Sequence, residues 1–123
     1  MGSIDDAVAM IRSGEEAEID LLWSNVGDEG AAAIAAALAE STSLKSIYLA
    51  YNYIGVSGAK ALAAAFTKST SIQIIDTRSN CIGDEGASSI ASAVSQSTTI
   101  RIVHARREPR RSRSQLVNAP RSR

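Results

Sequence analysis

The sequence is poor in the residues that disulfide-bonded, metal-dependent and membrane-spanning proteins need. Cys81 is its only cysteine, which excludes an internal disulfide and suits a reducing compartment. His104 is its only histidine, and the chain has neither a metal-ligand spacing nor a phosphate-binding glycine loop. No apolar run is long enough for a membrane span, and the N-terminus lacks the features of a secretory signal. We therefore expect a soluble, cytoplasmic protein with no metal, no cofactor and no membrane partner.

Aromatic residues are also scarce. They make up 4% of the chain, whereas 45% of it is apolar, and Phe66 and Trp23 are the only residues of their kinds. The core must therefore be built from small aliphatic side chains that pack closely.

One pattern stands three times in the sequence at a spacing of 28 residues, without a gap. The recurring positions hold aliphatic residues, a polar turn residue and glycine in a fixed order. They include Ile19, Ile47, Ile75; Ser24, Asn52, Asn80; Val26, Ile54, Ile82; Gly27, Gly55, Gly83; and Ile34, Leu62, Ile90. A period of this length predicts a solenoid, in which each unit covers the open face of its neighbour.

The repeat also carries a family resemblance. The run Leu44-x-x-Ile47-x-Leu49-x-x-Asn52-x-Ile54-Gly55 resembles a leucine-rich repeat. The sequence Gly-Asp-Glu-Gly-Ala at 27–31 and 83–87 is similar to the ribonuclease-inhibitor-type subclass, which includes the repeats of NOD-like receptors and of Ran GTPase-activating protein. The resemblance implies an α/β fold: a short solenoid of βα units with parallel strands on a concave face and helices on a convex face.

The repeats divide the chain into three predicted parts. Residues 1–18 are a degenerate capping helix, since Ile4, Val8 and Ile11 share one helical face but Asp6 stands in the place of Ile34. A frayed terminus is the alternative. Residues 19–105 hold three full repeats and the start of a fourth. Residues 106–123, which we call the basic tail, are rich in Arg and Ser and are predicted to be disordered.

Each repeat is predicted to pass from a short strand through a turn into a helix, over 28–40, 56–68 and 84–96. Alternation along the strand points Ile47 and Leu49 into the core. The resemblance assigns Asn52 and Asn80 to hydrogen bonds that hold the turn, as an amide both donates and accepts. The shorter Ser24 then predicts a weaker first turn.

Glycine and aspartate mark the passage from the turn into the helix. The equivalent glycines fit a turn that needs positive φ or a close backbone approach. They are Gly27, Gly55 and Gly83. Asp28 and Asp84 follow as candidate N-caps of the helices that they begin.

No arrangement of side chains points to catalysis. The pairs Asp28/Glu29 and Asp84/Glu85 fall in the predicted first turn of a helix, where negative charge suits the helix dipole. Cys81 occupies a variable position at a turn. We expect no catalytic residue and no enzyme activity.

The variable strand positions favour binding instead. If Ile47 and Leu49 face the core, the alternate residues face the concave surface, and these differ from one repeat to the next. Trp23 and Tyr51 follow at the strand ends, and Trp, Tyr and Arg are common interface hot spots; alternatively, the two rings only cover the core edge. The predicted protein-binding residues are Glu18, Asp20, Leu22, Trp23, Tyr48, Tyr51, Asp76, Arg78 and His104.

A formal net charge of zero conceals an acidic body and a basic tail. Residues 1–100 contain twelve acidic and five basic residues, whereas residues 101–123 contain eight Arg and one acidic residue, Glu108. Glu18, Asp20 and Asp76 favour a basic partner, and Arg78 and His104 reverse the sign towards the last repeat.

Three interpretations of the basic tail stay open. It is a nuclear-import or nucleic-acid segment, a docking peptide regulated by phosphorylation at Ser112 or Ser114, or a solvated, non-native terminus left by truncation. No aromatic residue stands among the arginines, which disfavours nucleic acid as a partner.

Taken together, the sequence predicts a non-enzymatic module that binds a protein ligand on its concave face. Through the resemblance, a GTPase-activating or regulatory role is one alternative; nucleic-acid binding through the tail and a fragment of a longer repeat protein are two others. Because the fourth repeat fails at Glu108, self-association through the C-terminal end is also expected.

Overall fold

The computed structural model describes residues 3–104, in which four helices alternate with four strands. In chain order these are α1 (Ser3–Ser13), β1 (Glu18–Asp20), α2 (Gly27–Glu40), β2 (Ser46–Tyr48), α3 (Val56–Lys68), β3 (Ile74–Asp76), α4 (Gly83–Gln96) and β4 (Ile102–His104). The strands form one parallel sheet in the order β1-β2-β3-β4. The predicted α/β solenoid is confirmed, and the basic tail lies outside the described residues.

The strands pair with an offset of one repeat, as the period predicts. Ile19 lies opposite Ile47, Ile47 opposite Ile75, and Ile75 opposite Val103. Ile47 and Leu49 are completely buried, which confirms the predicted direction of the strand side chains.

The helices follow the predicted bounds to within one residue and pack side by side through small residues. Ala31 of α2 and Ala59 of α3 are both completely buried. A Cβ added to Gly58 would lie 3.0 Å from the Cβ of Ala31 and 2.6 Å from a carboxylate oxygen of Asp28, closer than ordinary van der Waals contact. The helices therefore approach closely because glycine and alanine stand where they meet.

Helix α1 packs on α2, but with a face different from the one that the repeat register gives. Asp6 and Met10 stand in the places of the buried residues of α2, yet both are exposed. Ala7 and Ile11 are buried instead. A shift by one residue keeps the carboxylate of Asp6 in water, where it has no desolvation cost.

The asparagine of each repeat holds the turn of the preceding repeat. Oδ1 of Asn52 accepts the backbone N–H groups of Ser24 (2.8 Å) and Val26 (3.2 Å). Its Nδ2 donates to the carbonyls of Leu21 (2.7 Å) and Ala50 (3.1 Å). The weak first turn predicted from Ser24 does not follow, because Asn52 and not the Ser24 hydroxyl holds that turn.

Asn80 repeats this arrangement one unit further along. Its Oδ1 accepts the backbone N–H groups of Asn52 (2.8 Å) and Ile54 (3.0 Å), and its Nδ2 donates to the carbonyl of Leu49 (2.8 Å). We call these contacts of Asn52 and Asn80 the asparagine ladder. It links three consecutive repeats through buried or partly buried hydrogen bonds.

Asp28 also acts on the next repeat and not on its own helix, which corrects its predicted role. The N-cap position of α2 is Val26, which makes no side-chain cap. One carboxylate oxygen of Asp28 instead accepts the N–H groups of Gly55 (2.7 Å) and Gly58 (2.9 Å) at the start of α3. Asp84 likewise lies inside α4 and does not cap it.

The turn glycines meet two different requirements. Gly27 and Gly83 have φ of +66° and +65°, in the left-handed region that glycine enters freely. Gly55 has φ of −102°, but a Cβ there would lie 3.2 Å from the carboxylate of Asp28. Both requirements were predicted. Positive φ is found in the first and third repeats, and the close approach is found in the second.

Candidate protein-binding site

The outer sheet face, which is the side of the sheet turned away from the buried Ile47 and Leu49, carries one row of side chains from all four strands. Asp20, Tyr48, Asp76 and His104 are paired in register across the sheet. Asp20 and His104 are exposed, and Tyr48 is half-buried. The sheet thus brings together the row that the repeat spacing predicts, with exposed Glu18 two residues before Asp20.

Two small residues on this face offer almost no side-chain surface. Ser46 and Ala50 alternate with the core residues Ile47 and Leu49, but their exposed fractions are only 7% and 4%. Both belong to the second repeat, and neighbouring strands lie only about 4.8 Å away on each side. Contact with a partner therefore depends on the larger side chains around them.

Trp23 and Tyr51, which we call the aromatic pair, stack on one another just beyond the ends of β1 and β2. Their ring centroids are 4.2 Å apart, with an angle of 16° between the ring planes. Trp23 is 65% exposed and Tyr51 is 41% exposed, and Leu22 beside them is also exposed. Rings with so much surface in water cover the core poorly and provide a large contact area.

The aromatic pair sits on a fixed backbone. φ is +54° at Trp23 and +59° at Tyr51, and +57° at the equivalent Ser79, so the left-handed turn belongs to the repeat. The N–H of Trp23 donates to the carbonyl of Ala50 (3.3 Å), and that of Tyr51 donates to the carbonyl of Arg78 (3.2 Å). Two of these three turns carry an aromatic side chain, and a backbone hydrogen bond to the neighbouring repeat holds each of the two.

Asp76 and Arg78 form an ion pair at the end of β3. Oδ1 of Asp76 accepts Nε of Arg78 (2.9 Å), and Oδ2 accepts Nη2 (2.8 Å). Burial acts to raise the pKa of Asp76, but the hydrogen bonds and charge of Arg78, with a contribution from His104, lower the pKa below its ordinary value. Asp76 is only 5% exposed. Its carboxylate therefore offers a partner little surface, whereas the Arg78 side chain remains about half exposed.

Asp20 is the repeat equivalent of Asp76, but Leu22 stands where Arg78 would be. Oδ1 of Asp20 accepts the backbone N–H of Leu22 (3.1 Å). Among the described residues, neither Asp20 nor Glu18 takes part in an ion pair. The outer sheet face is consequently acidic beside β1 and neutralised beside β3.

One exposed aromatic residue was missed as a candidate. Tyr53 is 68% exposed and has φ of +58°, two residues beyond Tyr51. Its repeat equivalents are Asn25 and Cys81, and Cys81 is an exposed free thiol. A tyrosine at a turn position otherwise held by small residues was the available signal.

Nothing in the described part of the chain resembles a metal centre. Within residues 3–104, no three His, Cys, Asp or Glu side chains group so as to hold a metal ion. Two shallow grooves, of about 360 Å³ and 540 Å³, are lined mainly by Ser, Thr and Ala, and neither includes the aromatic pair. None of the helices in this part is long and apolar enough to cross a membrane.

A family comparison identifies the repeat. The leucine-rich-repeat family matches residues 18–35, 40–63 and 68–91, which amount to just over half of the chain. The chain is a leucine-rich-repeat protein. No curated protein matches it.

Two solved structures share the fold of this leucine-rich-repeat chain at low sequence identity. Actin-binding site 2 of leiomodin-1 has a TM-score of 0.76 and 22% identity, over 81% of this chain and 60% of that one. The tropomodulin C-terminal domain of Caenorhabditis elegans has a TM-score of 0.75 and 18% identity, over 83% of this chain and 63% of that one. The chain thus spans less than two thirds of either structure.

Proposed function

We propose that this leucine-rich-repeat chain is a non-enzymatic interaction module, which binds a protein ligand on the outer sheet face with the aromatic pair at the centre of the contact. Trp23 and Tyr51 carry the proposal, because their rings are stacked and exposed on turns held by backbone hydrogen bonds. Trp and Tyr dominate the energetics of protein interfaces because they bury a large area and lose little rotamer freedom. Leu22 extends the apolar surface, and Glu18 and Asp20 supply negative charge at its rim.

Actin is the protein partner that we propose to test first. The support is the shared fold of the leiomodin-1 domain, which is described as an actin-binding site. That domain is 22% identical and is only partly covered, so the likeness supplies a candidate partner, and the aromatic pair supplies the candidate contact.

The test is the affinity of the full chain for purified monomeric and filamentous actin, by sedimentation. Trp23→Asn and Tyr51→Asn each remove one ring, and Asn tolerates the left-handed backbone at these positions. We expect either variant to weaken binding by at least about tenfold, or 1.4 kcal/mol, because both residues are proposed as hot spots.

A matched control removes exposed apolar surface elsewhere. Met10 on α1 is 40% exposed and lies away from the sheet, so Met10→Gln is expected to bind as the unaltered chain does. A specific interface should be detectable well below an actin concentration of about 100 μM. If the unaltered chain does not bind at that concentration, the actin assignment is rejected. If the Asn variants bind as well as the control, the aromatic pair is not the contact.

The remaining sequence-based interpretations stay predictions. The ribonuclease-inhibitor-type subclass and the likeness to NOD-like receptor repeats are supported by Gly-Asp-Glu-Gly-Ala at 27–31 and 83–87. A GTPase-regulating role follows from that same resemblance. Nucleic-acid binding or nuclear import through the basic tail, self-association, and a cytoplasmic location are further expectations.

A further inference from the structure

We propose that the chain's own basic tail, residues 106–123, docks on the outer sheet face at its β1 end. In this arrangement, arginines of the tail lie against the aromatic pair and against Glu18 and Asp20, and they compete with an outside ligand. The inference rests on the binding surface proposed above and assigns to it an intramolecular occupant.

The charges of the two regions are complementary. The tail contains seven Arg and one acidic residue, Glu108. Residues 15–20 contain Glu15, Glu16, Glu18 and Asp20, all of which are exposed. None of these four takes part in the ion pairs formed by residues 3–104.

The aromatic pair adds a contact that suits arginine in particular. A guanidinium group is planar, is weakly hydrated and stacks on the face of Trp or Tyr. Trp23 is 65% exposed and follows the exposed Asp20 by three residues, so the β1 end offers arginines both an aromatic face and carboxylates. The β3 end lacks this combination, because Arg78 already holds Asp76.

The tail starts at the correct edge of the sheet and has sufficient length. All four strands are parallel, so β4 ends at His104 on the edge where β1 and β2 lead into the aromatic pair. β1 lies three strand spacings from β4, or about 14 Å. Arg110, Arg111 and Arg113 follow His104 by six to nine residues, which span up to about 20–30 Å when extended.

Trp23 is the only tryptophan and reports directly on occupancy of the surface. The experiment measures acrylamide quenching of its fluorescence in the full chain and in the variant R110Q/R111Q/R113Q. At low salt, about 20 mM, we expect quenching of the unaltered chain to be at least about twofold weaker than that of the variant, and at about 0.5 M salt the two should converge.

The acidic side of the contact is tested by E18Q/D20N. Asn keeps the oxygen that accepts the N–H of Leu22, so the turn is preserved while the charge is removed. This variant should lose the protection of Trp23 as the tail variant does. The control D5N/D6N removes two negative charges from exposed carboxylates on α1. It should retain the protection of Trp23. A peptide of residues 106–123 added to the tail variant should restore protection, whereas the same peptide with Gln in place of Arg should not.

Two results would overturn the inference. One is equal quenching of the unaltered chain and the tail variant at low salt. The other is protection that increases with protein concentration, because the occupant would then be the tail of a second copy. Neither result depends on actin. If the unaltered chain binds actin while its Trp23 is quenched as readily as that of the tail variant, the docking alone is refuted. If Trp23 is protected by the tail but no variant binds actin, only the proposed partner is refuted.

Discussion

Replacement of Asn52 by alanine should remove a large part of the stability of this protein. Asn52 is completely buried, and its side chain makes four hydrogen bonds to backbone groups of the first and second repeats. Each buried hydrogen bond contributes about 1 kcal/mol net, and a backbone group left without a partner costs more. We therefore expect Asn52→Ala to lower the free energy of unfolding by about 3–5 kcal/mol.

This loss is large relative to the total. A domain of this size is stable by about 5–15 kcal/mol, so the variant should unfold at a much lower urea concentration or be partly unfolded without urea. Urea titration followed by far-UV circular dichroism and by Trp23 fluorescence measures the change. The slope of the transition should stay constant if the native surface is unchanged.

Ser24 provides a matched control at the same repeat position. Its hydroxyl makes only one weak contact among the described residues, with the carbonyl of Leu22 at 3.4 Å. Ser24→Ala should therefore change stability by less than about 0.5 kcal/mol. A loss below about 1 kcal/mol for Asn52→Ala, or equal losses for both variants, would refute the asparagine ladder as a main source of stability.

Four further predictions follow from single side chains. Leu49→Ala empties a buried core site and should cost about 2–5 kcal/mol, whereas Tyr48→Ala should leave the array folded by circular dichroism; equal effects would contradict the strand phase. Thr77 is 1% exposed and its hydroxyl has no hydrogen-bond partner in residues 3–104. Thr77→Val should therefore increase the free energy of unfolding by about 1 kcal/mol and raise the urea midpoint. A lower midpoint would show that the hydroxyl has a partner. Asp28→Ala should cost about 1 kcal/mol in the same assay, and Asp28→Asn less, because the amide oxygen still accepts from the start of α3. The lowered pKa of Asp76 contributes stability that is complete above its unfolded pKa near 3.8 and is lost as the pH falls through the folded value, so Asp76→Asn should flatten the decline of stability with pH in that acidic range and leave the remaining pH dependence unchanged.

The fold could be predicted from the sequence because the period constrains every repeat at once. A spacing of 28 residues without a gap fixes the sheet register, and Ile19, Ile47 and Ile75 consequently lie side by side. The same spacing placed Trp23 next to Tyr51. Contacts that repeat with the period are therefore readable from the sequence alone.

It was harder to predict whether a recurring polar side chain bonds to its own repeat, to the preceding repeat or to the following one. The sequence shows that asparagine and aspartate recur, but not whether each serves its own repeat or a neighbour. The structure assigns Asn52 to the preceding repeat and Asp28 to the following one. Asp76 was predicted to be exposed, but Arg78 covers it. The residue two positions after the aspartate is Leu22 in the first repeat and Arg78 in the third, and only Arg78 supplies a counterion.

The arrangement separates the residues that hold the fold from those proposed to bind. Backbone groups and the asparagine ladder form the turns at the aromatic pair: Asn52 Oδ1 bonds the N–H of Ser24, directly after Trp23, and Asn80 Oδ1 bonds the N–H of Asn52, directly after Tyr51. The rings themselves make none of these hydrogen bonds. Loss of a ladder residue should therefore disturb both the fold and the stacking of the rings, whereas loss of a ring should leave the ladder intact. A surface built in this way can change its side chains without a change in its backbone, which suits a module that binds through variable side chains.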